Sequence, residues 1–202
     1  DDDVAPTVTL AVDSTTLAES GTGPAVVTAT LSAVSGLPVT VDLAISGTAT
    51  LTSDYTRSGT SVLIPAGSLS GSITLTGVDD ALDEAGETII VDIDAVVNGT
   101  ESGSQQVTAI ITDDDLPPTV TLGLAGSPLA ENGVVATVTA TLSAVSGLPV
   151  TVTLGFSGSA SAGDYTASAS SVVISAGSTT GSITLTGVDD LLFESNETII
   201  VD

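Results

Sequence analysis

Two acidic stretches hold most of the side chains in this chain that could do chemistry. Gly77-Val78-Asp79-Asp80-Ala81-Leu82-Asp83-Glu84-Ala85-Gly86-Glu87 recurs as Gly187-Val188-Asp189-Asp190-Leu191-Leu192-Phe193-Glu194-Ser195-Asn196-Glu197. Each copy places at least four carboxylates within nine residues, with no Lys, Arg or His beside them. Two like charges about 4 Å apart repel by about 1 kcal/mol in water and about 4 kcal/mol at an effective dielectric near 20. Converging carboxylates therefore stay ionised only where a cation sits among them; otherwise their pKa values rise. Oxygen donors without His or Cys suit calcium, and magnesium less well. The plainer reading of any single acidic run is a solvated turn, so the case rests on how the rest of the chain arranges these acids.

The chain has 202 residues, 25 of them acidic against one basic residue, Arg57, for a formal charge of −24. Nucleic acid and anionic membrane surfaces are disfavoured as partners by that charge. A hydrophobic content of 42% is too high for a disordered acidic tail. Val, Ile, Leu and Ala mix with Thr and Ser in short runs, which is strand composition. With no Cys, Met, Trp or His, disulfides, zinc sites, thiol chemistry and His-based acid–base chemistry are excluded within these residues. No apolar run approaches the roughly 20 residues of a membrane helix, so direct membrane insertion is not expected.

The elements that must position the acids come in two copies. Asp1-Asp2-Asp3-Val4-Ala5-Pro6-Thr7-Val8-Thr9-Leu10 returns as Asp113-Asp114-Asp115-Leu116-Pro117-Pro118-Thr119-Val120-Thr121-Leu122, an offset of 112. The stretch from Leu31 returns at Leu142, and that from Gly71 at Gly181, offsets of 111 and 110. Such a period is too long for a solenoid and suits tandem domains. The expected division is residues 1–115 and residues 116–202, with Asp1, Asp2 and Asp3 closing a preceding repeat. Within the first repeat, period-two alternation predicts seven strands, at residues 7–13, 25–34, 39–46, 61–65, 70–78, 87–97 and 105–112. No segment shows helical periodicity. Seven short strands in about 110 residues imply an all-β, two-sheet sandwich of immunoglobulin-like kind.

Parity then sorts the acids. If consecutive strands alternate in direction, one end of the first sandwich receives Glu19, Asp54, Asp79, Asp80, Asp83, Glu84, Glu87, Asp113, Asp114 and Asp115. The other end receives only Glu101. Solvation alone would spread charge over both ends, so the bias favours a cation site.

These residues resemble the Calx-β family, calcium-binding sandwich modules of sodium/calcium exchangers, an integrin β subunit and large bacterial surface proteins. The matching pieces are Leu17-Ala18-Glu19, Gly47-Thr48-Ala49 leading to Asp54-Tyr55, Pro65-Ala66-Gly67, Asp79-Asp80 with Glu84 and Glu87, and Asp113-Asp114-Asp115. The resemblance implies calcium ligands at Glu19, Asp54, Asp79, Asp80, Glu84, Glu87 and Asp113 to Asp115, with Leu82 contributing its backbone carbonyl. In the second repeat it implies Glu131, Asp164, Asp189, Asp190, Leu192 through its backbone, Glu194 and Glu197. Asp83 is left out, because Phe193 stands at its counterpart. Residue 202 corresponds to Asp92, so the second repeat is expected to lack its last strand and closing aspartates, leave a strand edge unpaired, and hold fewer or weaker calcium ions than the several of the first.

The acidic pole lies where the first repeat leads into Leu116-Pro117-Pro118, a stiff link without proline N–H donors. Calcium there is expected to lock neighbouring repeats of the same chain into a rod. The sequence is therefore read as a calcium-binding structural extender of a large secreted bacterial surface adhesin or biofilm protein, with any surface or matrix ligand bound elsewhere in the parent. One alternative is a calcium-sensing regulatory module. Another is a ligand-binding adhesion or carbohydrate module, although Tyr55, Tyr165, Phe156 and Phe193 are the only aromatics, and the tyrosines read better as packing supports. Paired carboxylates can hydrolyse glycosides, but these have no aromatic cleft or nucleophile partner, and an enzyme is not expected. The Asp runs lack EF-hand spacing. The two glycosylation sequons, at Asn98 and Asn196, are no more than a Thr-rich chain produces by chance.

Overall fold

The computed structural model describes residues 3–191, 193 and 195–202. They form two compact units, with the main division along the chain at Asp114/Asp115. No helix among them is long and apolar enough to cross a membrane.

The first unit contains β1 (Thr7–Val12), β2 (Thr16–Ala18), β3 (Ala25–Leu31), β4 (Val39–Gly47), β5 (Tyr55–Arg57), β6 (Ser61–Ile64), β7 (Ser70–Gly77), β8 (Glu87–Val97), β9 (Thr100–Glu101) and β10 (Gln106–Thr112). They build two five-stranded sheets, ordered β5-β7-β3-β1-β9 and β2-β10-β8-β4-β6. All seven predicted strands are present with boundaries shifted by a few residues at most. The structure adds β2, β5 and β9, which at two or three residues are too short for alternation to reveal.

Alternation decides what each strand buries. In β3, Ala25, Val27, Ala29 and Leu31 point inward, and in β7 Ile73 and Leu75 do so. From the opposing sheet come Val39 and Val41 of β4, Ile89 and Val91 of β8, and Ala109 and Ile111 of β10. Tyr55 is 4% exposed and belongs to this core, as expected of a packing support.

The second unit contains β11 (Val120–Ala125), β12 (Val135–Leu142), β13 (Val150–Thr153), β14 (Phe156–Gly158), β15 (Tyr165–Ala167), β16 (Ser171–Ile174), β17 (Thr180–Gly187) and β18 (Ile199–Val201). A four-stranded sheet β11-β12-β17-β15 repeats the β1-β3-β7-β5 arrangement. The pairs β13–β16 and β14–β18 repeat parts of the other sheet. Tyr165 packs partly buried against this core, its ring centroid 6.4 Å from that of Phe156. Among the described residues no strand occupies the position that β10 takes in the first unit.

One glycine sets the geometry of the acidic pole in each unit. A Cβ on Gly77 would lie 2.3 Å from the carbonyl oxygen of Ala18 and 2.9 Å from that of Glu19. Only a bare Cα lets the segment carrying Glu19 press against the end of β7. Gly187 repeats the device, with the Ala130 carbonyl oxygen 2.3 Å from its hypothetical Cβ.

Candidate metal centre

The pole is assembled from strand register. β10 pairs in parallel with β2, with Ile110 opposite Thr16, Ile111 opposite Leu17 and Thr112 opposite Ala18. The next residue on each strand is an acid, Asp113 on one and Glu19 on the other. A 3.1 Å hydrogen bond from the Glu19 N–H to the Thr112 carbonyl holds them side by side. Antiparallel pairing of β10 with β8 sets Ile111 opposite Glu87 and brings the start of β8 to the same end. The loop after β7 supplies Asp79, Asp80 and Glu84.

Two sets of three carboxylates result, each with ligand oxygens all within 4.8 Å of one another: Glu19, Asp80 and Glu84, and Glu19, Asp113 and Asp115. Glu19 belongs to both and is 6% exposed. Loss of hydration on burial, then the charges of Asp113 and Asp80, push its pKa up to about 7, against an ordinary 4.5. A side-chain hydrogen bond with Asp113 acts the same way, while one accepted from the Asp80 backbone N–H acts against it. An acid in this setting gains more from a nearby dication than a solvated one does, because the cation offsets both causes.

Asp54 reaches this end by another route. Its carboxylate accepts a hydrogen bond from the Thr50 N–H, which shapes its own loop, and its carbonyl accepts one of 3.0 Å from the Val78 N–H. The loop between β4 and β5 is thereby tied to the start of the acidic stretch. Asp79, Asp114 and Glu87 stand at the same end by chain position, outside the two triads, as does the Leu82 backbone. Asp83, omitted as a ligand, is also outside them. Glycine 77, which the sequence reading passed over, is what lets Glu19 reach the cluster. Its signal was visible as the invariant first residue of both acidic stretches.

The second unit repeats the framework. The Asp164 carboxylate accepts hydrogen bonds from the Ser161 backbone and side chain, and these hold its pKa below the ordinary carboxylate value. Glu197 shares a further hydrogen bond with it. The Asp164 carbonyl accepts one of 2.9 Å from the Val188 N–H, matching Asp54 and Val78. Glu131 is exposed, unlike Glu19, and Asp189 and Asp190 are exposed as well. Leu192 and Glu194 lie outside the described residues, as do Asp1 and Asp2. Among the described residues, both three-carboxylate sets belong to the first repeat. With oxygen donors alone, the fitting ions are hard divalent cations.

No curated protein matches the chain. Among solved structures it is similar to CBD12 from CALX1.2, at 16% identity over 90% of this chain and 74% of that one, with a TM-score of 0.46. It is similar also to the calcium binding domain CBD12 of CALX1.1, at 16% identity over 87% and 73%, TM-score 0.42. A third is the D0-D1 domain of intimin, at 15% identity over 95% and 96%, TM-score 0.32. The family profile described as the Calx-beta domain matches residues 1–115 and again residues 119–202, nearly the whole chain. Two tandem copies of one profile over two β units whose acids gather at strand-end loops place the chain in the Calx-β family of calcium-binding modules.

Proposed function

We propose that the first repeat, residues 1–115, binds several calcium ions through Glu19, Asp54, Asp79, Asp80, Glu84, Glu87, Asp113, Asp114 and Asp115, with the Leu82 carbonyl as a further donor. The supporting observation is the β2–β10 register, which holds Glu19 beside Asp113 in a buried position shared by both carboxylate sets. In the second repeat, residues 116–202, the ligands are Glu131, Asp164, Asp189, Asp190, Glu194, Glu197 and the Leu192 carbonyl, holding fewer or weaker ions. The role is structural and non-catalytic. Calcium orders the acidic loops that run into Leu116-Pro117-Pro118 and stiffens the passage from one repeat to the next. A module of this kind suits an extender segment of a bacterial surface or biofilm protein, working at extracellular calcium with dissociation constants of roughly 10⁻⁴–10⁻³ M.

Calorimetric calcium titration of the chain and of Glu19→Gln tests the site. The expected result is an affinity of that order, lowered at least tenfold by the substitution, with the calcium-free variant no less stable than the parent. Unchanged affinity overturns the ligand assignment, and micromolar affinity favours the sensor reading. Small-angle scattering with calcium and with chelator tests the mechanical role. An unchanged length and flexibility counts against it.

A further inference from the structure

Two of the three asparagines in the chain, Asn98 and Asn132, are followed directly by glycine. Such a pair can modify itself. The glycine nitrogen, once it gives up its proton, can attack the side-chain carbonyl carbon of the asparagine, since no Cβ stands in the way. The step needs an asparagine amide that can leave its partners, a glycine N–H that can be uncovered and a backbone that can turn. Sequence treats the two pairs alike, and the fold does not. Asn98 sits at the turn between β8 and β9, with φ at 62°. Its side-chain amide donates a 2.8 Å hydrogen bond to the Pro38 carbonyl. A Cβ on Gly99 would lie 3.1 Å from the Pro6 carbonyl oxygen and 3.1 Å from the Val96 side chain. The Thr100 N–H donates to that same carbonyl at 3.0 Å. Turning this backbone means breaking the pairing of β9 with β1.

Asn132 lies in the loop between β11 and β12 and is exposed, as is Gly133. Among the described residues no hydrogen bond holds its side-chain amide. A Cβ on Gly133 would meet nothing within 4 Å. The Gly133 N–H donates a 2.7 Å hydrogen bond to the Glu131 carbonyl. That bond closes within the loop itself, so opening it disturbs no sheet. In the first unit, with β10 in place, the counterpart Ser20 is also partly exposed, so the position is open to water there too. We infer that Asn132 is a site of self-modification by deamidation. The Gly133 nitrogen, its proton passed to solvent, forms a bond to the Asn132 side-chain carbonyl carbon. The bond from that carbon to the amide nitrogen breaks, and the nitrogen leaves as ammonia. Water then opens the resulting cyclic imide at either carbonyl, giving aspartate or isoaspartate with no oxidation or reduction. Either product sets a new carboxylate beside Glu131 and makes the acidic end of the second unit more negative.

Peptide mapping by mass spectrometry reads the step directly, after the 202-residue chain is held in mildly alkaline buffer with chelator. The peptide containing Asn132 is expected to gain one mass unit and to yield both isoaspartate and aspartate, the mixture that passage through the imide produces. Asn98 reacts only when its turn opens, so its rate is expected to be lower by about tenfold or more. In urea, where no fold protects either pair, the two rates are expected to converge. Asn132→Ser, which places there the residue that the first repeat carries, is expected to remove the more acidic form that builds up on ion exchange. Equal rates in the folded chain, an Asn132 that stays intact while Asn98 reacts, or a rate difference that survives in urea overturns the inference. So does a product at Asn132 that is aspartate alone.

Discussion

The two repeats share nearly the same strands and turn residues, yet their inner faces differ in exposure. Val8 and Leu17 are fully buried in the first unit, whereas Val120, at the position of Val8, is 39% exposed. Leu10 is partly buried against the first core, while its counterpart Leu122 is 40% exposed. Glu19 is buried and Glu131 exposed. In the first unit β1 is flanked by β9 and packs against β10, whereas the described residues of the second contain no counterpart of either. β10 covers the open side of the core with Ala109 and Ile111, then delivers Asp113 and Asp115 beside Glu19. Core burial and the gathering of the carboxylates in the first unit therefore depend on the same pairing.

The sharpest way to break that comparison is Ile111→Ala. Removing a buried Ile side chain costs about 2–5 kcal/mol, so urea melting is expected to show the first unit losing that much, while Leu122→Ala costs less than about 1 kcal/mol. Equal losses would mean that β10 is not what separates the units. Calcium comes next. At a hundredfold excess over its dissociation constant, a ligand stabilises the folded state by about 2.7 kcal/mol per site. Calorimetric melting is expected to show a calcium-dependent rise for the transition of the first unit and a smaller one for the second. Equal rises would show that the second repeat's acids suffice. Gly77→Ala follows. The added Cβ must displace the Ala18–Glu19 backbone, and calcium affinity of the first unit is expected to fall about tenfold, or about 1.4 kcal/mol. Gly187→Ala makes the same clash against Ala130 but should leave the calcium signal of the first unit in place.

Much of this difference was legible before any coordinates. Strand positions followed from alternation at Val39-Thr40-Val41-Asp42-Leu43 and similar runs, because a half-buried strand must put apolar residues at every second position. Alternating strand direction was enough to send Glu19, Asp80, Glu84, Asp113 and Asp115 to one pole. What alternation could not reveal was β2, whose Thr16-Leu17-Ala18 is too short to show a period and pairs with β10 over ninety residues away. Yet that pairing sets the Glu19–Asp113 contact. Nor could composition distinguish a buried Glu19 from an exposed Glu131, since both follow Leu-Ala. The close approach at Gly77 is likewise invisible locally, because its reason lies in a carbonyl some sixty residues earlier.

The smallest expected effect is a pH dependence with opposite signs in the two units. In chelator, Glu19 ionises in the unfolded chain near 4.5 but in the folded unit only at about 7. Between those values the folded state holds the extra proton, so folding is most favoured below 4.5 and the advantage disappears as pH rises through 7. Asp164 is shifted the other way by its Ser161 hydrogen bonds. The stability it contributes is present above its unfolded value of 3.8 and is lost as pH falls through the lower folded value. Apo melting of the first unit is therefore expected to drop between pH 5 and pH 8. The drop is on the order of 1 kcal/mol, or roughly 4–8 °C for a domain of this size, because small loop movements let an ionised Glu19 reach water. The second unit should hold steady over that range. Millimolar calcium should abolish the slope of the first unit, since the cation offsets the charge that the proton otherwise removes. A slope that survives saturating calcium, or that persists in Glu19→Gln, would assign it to other acids and separate the buried carboxylate from the ion site.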